Sequence, residues 1–274
     1  MNNRKLITME SVLKSDVFKE CHYELPIILG KTAITNEIII KDLTRLHHIL
    51  VGGSTGQGKT TSLHAMITSL INKRQPSEMR LVLIAPKRCE FNKYAYLGKN
   101  YLAEIPSVSD LILTDNTKAT QALKNLCDIV DNRHKLLKMA DVRSIQEYNE
   151  KYKNGDLSNG AGHDFMPYIV IVVDEFGELM IARGKEAEVP MARLAEIGHR
   201  VGLHLIIATQ RLVPNVITGV IRANFPTRIA FRIATSYESR MIINSNEATQ
   251  LMGNGDMMFA SVDEKIHVQG AFVE

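Results

Sequence analysis

A glycine-rich motif between an apolar segment and a helical pattern constrains this chain more than any other feature. The motif Gly53-Ser54-Thr55-Gly56-Gln57-Gly58-Lys59-Thr60 satisfies the pattern G-x-x-x-x-G-K-[ST] in full. An apolar run over residues 47–51 predicts a strand before it, and a helical pattern over 60–72 follows. Glycines let the backbone curl so that successive N–H groups face one anion, and the helix N-terminus adds partial positive charge. The order of strand, loop and helix therefore predicts a phosphate-binding loop.

The residue types of this motif also predict how a nucleoside triphosphate is held. We expect Lys59 to contact the β- and γ-phosphates and the Thr60 hydroxyl to ligate Mg²⁺. A dinucleotide-binding fingerprint is disfavoured, because Lys59, Thr60 and Thr61 follow Gly56-Gln57-Gly58 and the third glycine is missing. The predicted ligands are therefore ATP and Mg²⁺.

Two further apolar segments end in polar residues that suit the same chemistry. Residues 168–173 lead into Asp174 and Glu175, and residues 203–208 lead into Gln210. We expect Asp174 to organise Mg²⁺, Glu175 to polarise the attacking water, and Gln210 to hydrogen-bond the γ-phosphate or that water. The predicted nucleotide-binding set is Gly53, Ser54, Thr55, Gly56, Gln57, Gly58, Lys59, Thr60, Thr61 and Asp174, with Thr60 and Asp174 as the metal ligands.

Alternating short β-branched runs and longer helical patterns from residue 37 onward predict an α/β fold with a mostly parallel sheet and helices on both faces. The sequence favours a RecA-like P-loop NTPase. We expect the strand at residues 80–85 to separate the strand before the phosphate loop from the strand before Asp174. A lead-in segment over 1–35 and a RecA-like ATPase domain over 36–274 are expected. The predicted strands are 38–40, 47–51, 80–85, 168–173, 203–208 and 228–233, and their continuous apolar character favours buried parallel strands over a one-sided antiparallel sheet. The predicted helices are 60–72 and 117–152, followed by a surface loop at 153–167 and by an edge hairpin over 257–260 and 265–268.

Composition limits the class of protein. With 45% hydrophobic and 23% charged residues in 274, the chain can bury a full-sized core. Its net charge of +3 is too small to demonstrate a polyanionic partner. No apolar run approaches the ~20 residues that a membrane helix needs, and no secretory leader is recognisable. The three cysteines, Cys21, Cys89 and Cys127, are odd in number and widely spaced, which argues against a disulfide framework and favours a cytoplasmic protein.

Several longer segments resemble the motor domain of the FtsK/SpoIIIE DNA translocases, within the FtsK–HerA group of ATPases. The resemblance covers about residues 10–272 and rests on long strings rather than on the phosphate loop alone. The matching strings are residues 48–59 (HILVGGSTGQGK), 169–176 (IVIVVDEF), 202–211 (GLHLIIATQR), 216–219 (VITG), 222–231 (RANFPTRIAF) and 253–257 (GNGDM).

This resemblance implies a homohexameric ring that moves along double-stranded DNA at the expense of ATP, in chromosome segregation, cell division or related DNA transfer. It also implies an arginine supplied by the neighbouring subunit, which we expect to be Arg200, although the family arginine aligns with His199. Arg211, Arg222 and Arg240 match the family residues that contact the DNA backbone. Association with a membrane is expected only through segments outside this chain, and the chain on its own can be monomeric.

Some positions depart from the family pattern and leave alternatives open. Ala85, Leu212 and Ser236 stand where the family has aspartate, proline and lysine. The nucleotide residues are retained, so ATP hydrolysis is expected. One alternative is a coupling ATPase for secretion or conjugation substrates, and another is a nucleotide-gated scaffold with weak hydrolysis.

Overall fold

The computed structural model describes residues 7–86, 90–157 and 162–273, which form a mixed α/β fold. The strands are β1 (Pro26–Thr32), β2 (Ile38–Asp42), β3 (His48–Gly52), β4 (Met79–Ile84), β5 (Ile112–Leu113), β6 (Tyr168–Val173), β7 (Leu203–Thr209), β8 (Thr227–Phe231), β9 (Asp256–Ala260) and β10 (Lys265–Gly270). The helices are α1 (Met9–Leu13), α2 (Asp16–Lys19), α3 (Leu43–Leu46), α4 (Lys59–Lys73), α5 (Gly98–Tyr101), α6 (Asn116–Met139), α7 (Ile145–Asn154), α8 (Phe176–Arg183), α9 (Lys185–Ile197), α10 (Gly219–Asn224) and α11 (Ser236–Ile243). Short 3₁₀ helices cover Glu90–Leu97, Gly198–Val201 and Glu247–Thr249.

The chain divides into two compact units. Unit 1 comprises Met1–Arg74, Asp174–Gly177 and Ile206–Glu274, and unit 2 comprises Gln75–Val173 and Glu178–Leu205. The first three residues of β7 belong to unit 2 and the remainder to unit 1.

Unit 1 combines parallel and antiparallel strands in the order β2-β1-β10-β9-β8-β3-β7. Strand β3 pairs in parallel with β8, as predicted for buried apolar strands. The pairs β8–β9, β9–β10, β10–β1 and β1–β2 are antiparallel. The predicted C-terminal hairpin is therefore confirmed, but its predicted place at the sheet edge is wrong, because β10 also pairs with β1 and β9 with β8. The parallel pairing predicted for residues 38–40 is also wrong, because β2 forms a hairpin with β1.

Strand β1 was not predicted, because Pro26 and Gly30 look like strand breakers. Pro26 occupies the first position of the strand, where its missing N–H does little harm. Gly30 has a φ of 145° at a register shift between β1 and β2, and a Cβ there would lie 2.0 Å from the Gln269 carbonyl oxygen. The glycine thus allows close backbone approach to β10 at a bulge.

The predicted lead-in segment packs on unit 1 through its two short helices. Thr8 caps α1 by accepting a hydrogen bond from the Ser11 N–H, and Ser15 caps α2 by accepting one from the Phe18 N–H. An apolar cluster joins these helices to β1, β2 and α4, and it contains Ile7, Met9, Val12, Phe18, Ile28, Ile40, Ala65 and Ala271. The division into a lead-in and a motor domain stays a prediction.

The strand order in unit 2 is β7-β6-β4-β5, and the first three residues of β7 are the part of that strand that belongs to this unit. Strand β4 pairs in parallel with both β6 and β5. The strand at residues 80–85 was expected to separate the strand before the phosphate loop from the strand before Asp174. This expectation is wrong, because the neighbours of β3 are β8 and β7, and β4 pairs with β6 and β5 instead. Helices α6 and α9 pack on each other within unit 2.

The single helix predicted over 117–152 is divided into α6 and α7. Helix α6 ends at Met139, and Asp141 has a φ of 51°, which no α-helix accommodates. Ser144 then caps α7 by accepting a hydrogen bond from the Glu147 N–H at 3.3 Å. Helix α7 continues to Asn154, so the predicted loop over 153–167 begins later, and its residues 158–161 lie outside the described residues.

Within the described ranges, no helix is both long enough and apolar enough to cross a lipid bilayer.

Burial makes Cys127 on α6 a chemically inert thiol. Removal from water raises the pKa of Cys127 from 9.0 to about 11, and its Sγ lies 3.7 Å from the Pro190 carbonyl oxygen. Its thiolate fraction at pH 8 is therefore about a hundredfold below that of an ordinary thiol, and the thiolate is the reactive form.

We expect iodoacetamide to modify Cys127 at least about a hundredfold more slowly in the folded protein than in urea. Peptide mass spectrometry measures this, with partly exposed Cys21 as reference, and equal rates in both states would contradict it.

Candidate nucleotide-binding site

The predicted phosphate loop leads from β3 to α4 in unit 1, as the sequence indicates. Gly58 occupies the N-cap position of α4 with a φ of 117°. A Cβ there would lie 3.0 Å from the Gly255 Cα and 3.1 Å from the Phe231 Cε1, so a side chain would push these neighbours away by a few tenths of an ångström. Gly56 has a φ of 76° and open space around its missing Cβ. The curled loop therefore requires glycine at 56 for backbone conformation and at 58 for both conformation and space.

Lys59 is buried and reaches back over the loop that precedes it. Its Nζ donates hydrogen bonds to the carbonyl oxygens of Gly53 at 2.9 Å and Ser54 at 3.0 Å. Only 5% of the residue is exposed. The ammonium group is thus held inside the curve of the loop, where a phosphate chain would need a positive charge.

Thr60 and Asp174 come together as the sequence predicts. The Thr60 Oγ1 donates a hydrogen bond to the Asp174 Oδ2 at 3.1 Å. Asp174 follows β6 and is 1% exposed, and its Oδ1 accepts the Glu175 N–H at 3.0 Å. A buried carboxylate is tolerated only when hydrogen bonds replace its lost hydration, and these two contacts supply part of that replacement.

Glu175 sits in a strained backbone conformation next to Asp174. Its φ is 54°, in the left-handed region that residues with a side chain seldom adopt, and it is 5% exposed. Such strain costs about 1–3 kcal/mol and is concentrated at functional sites. The turn places this carboxylate directly after the strand that delivers Asp174.

The end of β7 contacts the loop through Gln210. The Thr55 Oγ1 donates a hydrogen bond to the Gln210 Oε1. The residue expected to hydrogen-bond the γ-phosphate or the attacking water therefore contacts the predicted phosphate loop. One residue further, the Arg211 N–H donates to the Thr209 Oγ1 at 3.0 Å, and Arg211 itself is exposed. A Cβ on Gly177 would meet that Thr209 Oγ1 at 2.8 Å and the Arg211 side chain at 3.1 Å, so this glycine allows the close approach.

A turn over residues 253–256 contacts the phosphate loop, and the sequence analysis assigned no role to this turn. The Gly255 N–H donates a hydrogen bond to the Gln57 carbonyl oxygen at 3.0 Å. Asp256, at 1% exposure, anchors the turn by accepting the Met252 N–H at 2.8 Å, and the His267 Nε2 lies 2.7 Å from its other oxygen. The available sequence signal was the pair of glycines around Asn254, a residue whose φ is also positive.

These residues fit a nucleotide with magnesium. The loop is a cradle that Cβ atoms would obstruct at Gly58, and Lys59 supplies a positive charge inside it. Thr60 and Asp174 present hydroxyl and carboxylate oxygens 3.1 Å apart, and Mg²⁺ prefers oxygen ligands of this kind.

Two of the three predicted DNA-contacting arginines lie together on unit 1. Arg222 on α10 and Arg240 on α11 line a depression of about 340 Å³. Their guanidinium groups donate to Asn244 Oδ1 at 2.8 Å and Asn246 Oδ1 at 2.7 Å. Among the described residues, no carboxylate pairs with either arginine, so both cationic charges are uncompensated by protein acids.

A third arginine, Arg228, holds the helices that carry Arg222 and Arg240, and the sequence analysis did not identify it. Its guanidinium donates to the carbonyl oxygens of Phe225 at 3.2 Å, Ile242 at 3.1 Å and Arg222 at 2.8 Å. It thereby ties β8 to the ends of both arginine-bearing helices. Burial, and then the nearby Arg222 charge, lower the pKa of Arg228 from its ordinary value.

The candidate arginine finger belongs to unit 2. Arg200 lies in the 3₁₀ helix Gly198–Val201 and is exposed, whereas the neighbouring His199 is partly buried. An exposed guanidinium at this position is accessible to a neighbouring molecule. Its role stays a prediction.

Comparison with known proteins assigns this chain to a family. The model of the FtsK/SpoIIIE family matches residues 8–214. The DNA translocase FtsK of Chlorobaculum tepidum is 43% identical over 256 residues, which are 93% of this chain and 31% of that protein. This chain therefore spans about a third of that relative's length.

Two solved structures share the fold. The monomer form of the pCW3 conjugation coupling protein TcpA with ATPγS superposes with a TM-score of 0.75 at 25% identity, over 97% of this chain and 70% of that one. The cytoplasmic domain of the type VII secretion ATPase EccC from Thermomonospora curvata gives a TM-score of 0.77 at 22% identity, over 98% and 32%. These likenesses agree with the predicted α/β P-loop fold.

A pair of glycine substitutions tests the loop geometry. We expect Gly56→Ala to lower the free energy of unfolding by about 1 kcal/mol, because the added cost is backbone strain alone. Gly58→Ala should cost about 3 kcal/mol, because its Cβ also collides with Gly255. Urea denaturation of the two variants measures the difference, and equal destabilisation would contradict the described packing.

Proposed function

Because this chain belongs to the FtsK/SpoIIIE family, we propose that it is the ATP-hydrolysing motor part of a double-stranded DNA translocase. The observation that carries the proposal is the convergence of Lys59, Thr60, Asp174 and Glu175 in unit 1, at the end of a strand and the start of a helix. The DNA substrate rests on the relatives, which are named DNA translocases.

In the proposed mechanism each residue has one task. The curled loop and Lys59 hold the β- and γ-phosphates, and Thr60 and Asp174 hold Mg²⁺, which neutralises phosphate charge when bound. The Glu175 carboxylate accepts a proton from the attacking water at the γ-phosphate. Gln210, already bonded to Thr55, transmits the state of the loop to β7 and hence to Arg211.

We further propose that the site is completed in a homohexamer. Arg200 of a neighbouring subunit would stabilise negative charge on the transferred phosphoryl group, which an arginine does at any physiological pH. His199 would do so only when protonated, so the exposed Arg200 is the better candidate.

The DNA contact is proposed at Arg211, Arg222 and Arg240. Guanidinium groups that contact backbone phosphates give affinity without sequence readout, as a motor that passes over any sequence requires. The pair of Arg222 and Arg240 offers two charges that no carboxylate among the described residues neutralises.

A second candidate function is a coupling ATPase in conjugation, in which ATP turnover serves a protein or relaxosome substrate. The structural likeness to the coupling protein TcpA favours it. Turnover that duplex DNA leaves unchanged, but that a partner protein raises, would replace the translocase proposal with this one.

The catalytic assignment is tested by two substitutions. Glu175→Gln should retain binding of a fluorescent ATP analogue and lower ATP turnover on duplex DNA by about 10²–10⁴-fold, because the base is removed. Lys59→Ala should abolish the binding itself. Exposed Glu150→Gln on α7 is the matched control and should turn over ATP like the parent chain. Full ATP turnover by the Glu175→Gln variant would contradict the assignment of Glu175 as the catalytic base.

The DNA-contacting arginines are tested by salt dependence. A plot of log affinity against log salt concentration has a negative slope, and each neutralised phosphate makes that slope steeper by about 0.9. We therefore expect Arg222→Ala and Arg240→Ala each to make the slope shallower by about 0.9, equally on unrelated duplex sequences, because each variant neutralises one phosphate fewer. Arg193→Ala is the control, because Arg193 is already paired with Asp131 at 2.7 Å. Fluorescence anisotropy measures the slopes, and unchanged values in both variants would rule out these contacts.

A further inference from the structure

Unit 2 contains a cavity of about 360 Å³ that the proposed ATPase activity does not use. Its walls come from β4, β6, α6 and the segment around residues 99–105. A volume of this size lies within the range of ligand pockets, about 300–1,000 Å³.

A buried arginine supplies the main polar group of this cavity. Arg133 on α6 is 9% exposed, and its Nη1 donates to the Val201 carbonyl oxygen at 2.9 Å. Among the residues that the structure describes, no carboxylate forms an ion pair with it. Burial alone lowers the pKa of Arg133 to about 10. A buried guanidinium with one carbonyl partner retains donors for an anion, and its planar fork suits carboxylate or phosphate.

Further charges around the cavity add to its positive character. Arg80 on β4 and Lys99 also line it, and Glu104 is the one acidic residue among the described lining. Glu104 is occupied by Lys99, whose Nζ lies 2.6 Å away, and both of these side chains are largely exposed. Arg80 donates to the carbonyl oxygens of Lys99, at 2.7 Å, and of Asn100. The hydrogen bond from Lys99 and its charge, and to a lesser extent the Arg80 charge, lower the pKa of Glu104, so this one carboxylate is shared by two cations.

The remaining lining is apolar, which defines the rest of the ligand. Leu126 and Ile129 of α6 line the cavity together with Ile105, Pro167 and Ile169. From this combination we propose that the cavity binds a small organic anion, with its carboxylate or phosphate on Arg133 and its apolar body against these side chains.

Calorimetric titration with two probes tests the proposal and separates the two headgroups. Phenyl phosphate and 3-phenylpropionate are titrated into the whole chain, saturated with ADP and Mg²⁺ so that the phosphate loop is filled. Three variants accompany the parent: Arg133→Met removes the fork, Ile129→Phe fills the cavity and leaves every charge, and Lys135→Met removes an exposed charge from the same helix. Arginine Nε–Hε NMR of the parent chain gives a second readout, in which the probe shifts the Arg133 signal.

We expect saturable one-to-one binding of at least one probe. Arg133→Met and Ile129→Phe should each weaken it at least tenfold, and Lys135→Met should not. If Arg133→Met fails to fold, Ile129→Phe and the NMR shift decide. Absence of saturable binding for both probes, or binding that either of the two cavity variants leaves unchanged, would overturn the proposal. Neither result depends on ATP turnover.

Discussion

The hydrogen bond between the Thr60 hydroxyl and the Asp174 carboxylate is the contact on which the site depends. It joins the first turn of α4 to the residue that follows β6, although 114 positions separate the two in sequence. Asp174 is almost wholly buried, so its carboxylate must be satisfied by neighbours such as Thr60 and the Glu175 N–H.

The phosphate loop is also held by segments remote from it. The Ser54 N–H donates to the Arg232 carbonyl oxygen at 3.0 Å, Thr55 bonds Gln210, and Gln57 accepts from Gly255. A loop with glycine at its sharpest positions loses much conformational entropy on folding. These three hydrogen bonds offset part of that cost and hold the loop in its curled conformation.

Local patterns made part of the fold and the site predictable. The elements β3 and α4 and the loop between them follow from adjacent residues, and the pairing of Thr60 with Asp174 follows from the rule that ligands lie at the carboxyl ends of parallel strands. The break between α6 and α7 also carries a local signature, since Ser144 and Glu147 form a helix-start pattern that periodicity alone overlooked. Strand β1 and the turn around Gly255 were not predictable in this way. Their roles depend on partners far along the chain, and glycine or proline in them indicates a break unless the partner is known.

Arg133, which is buried, and Arg228, which is half-buried, show why burial by itself does not explain a charge. Arg228 donates to three carbonyl oxygens that close two helices onto β8, so its desolvation is met by structural bonds. Arg133 makes one such bond and faces a cavity that has further cations around it. A buried charge costs free energy unless it is paired and hydrogen-bonded, so the fold gains little from a guanidinium that is only partly satisfied. A ligand anion would supply the partner that the described protein residues do not, and it would turn the desolvation cost into selectivity for that anion.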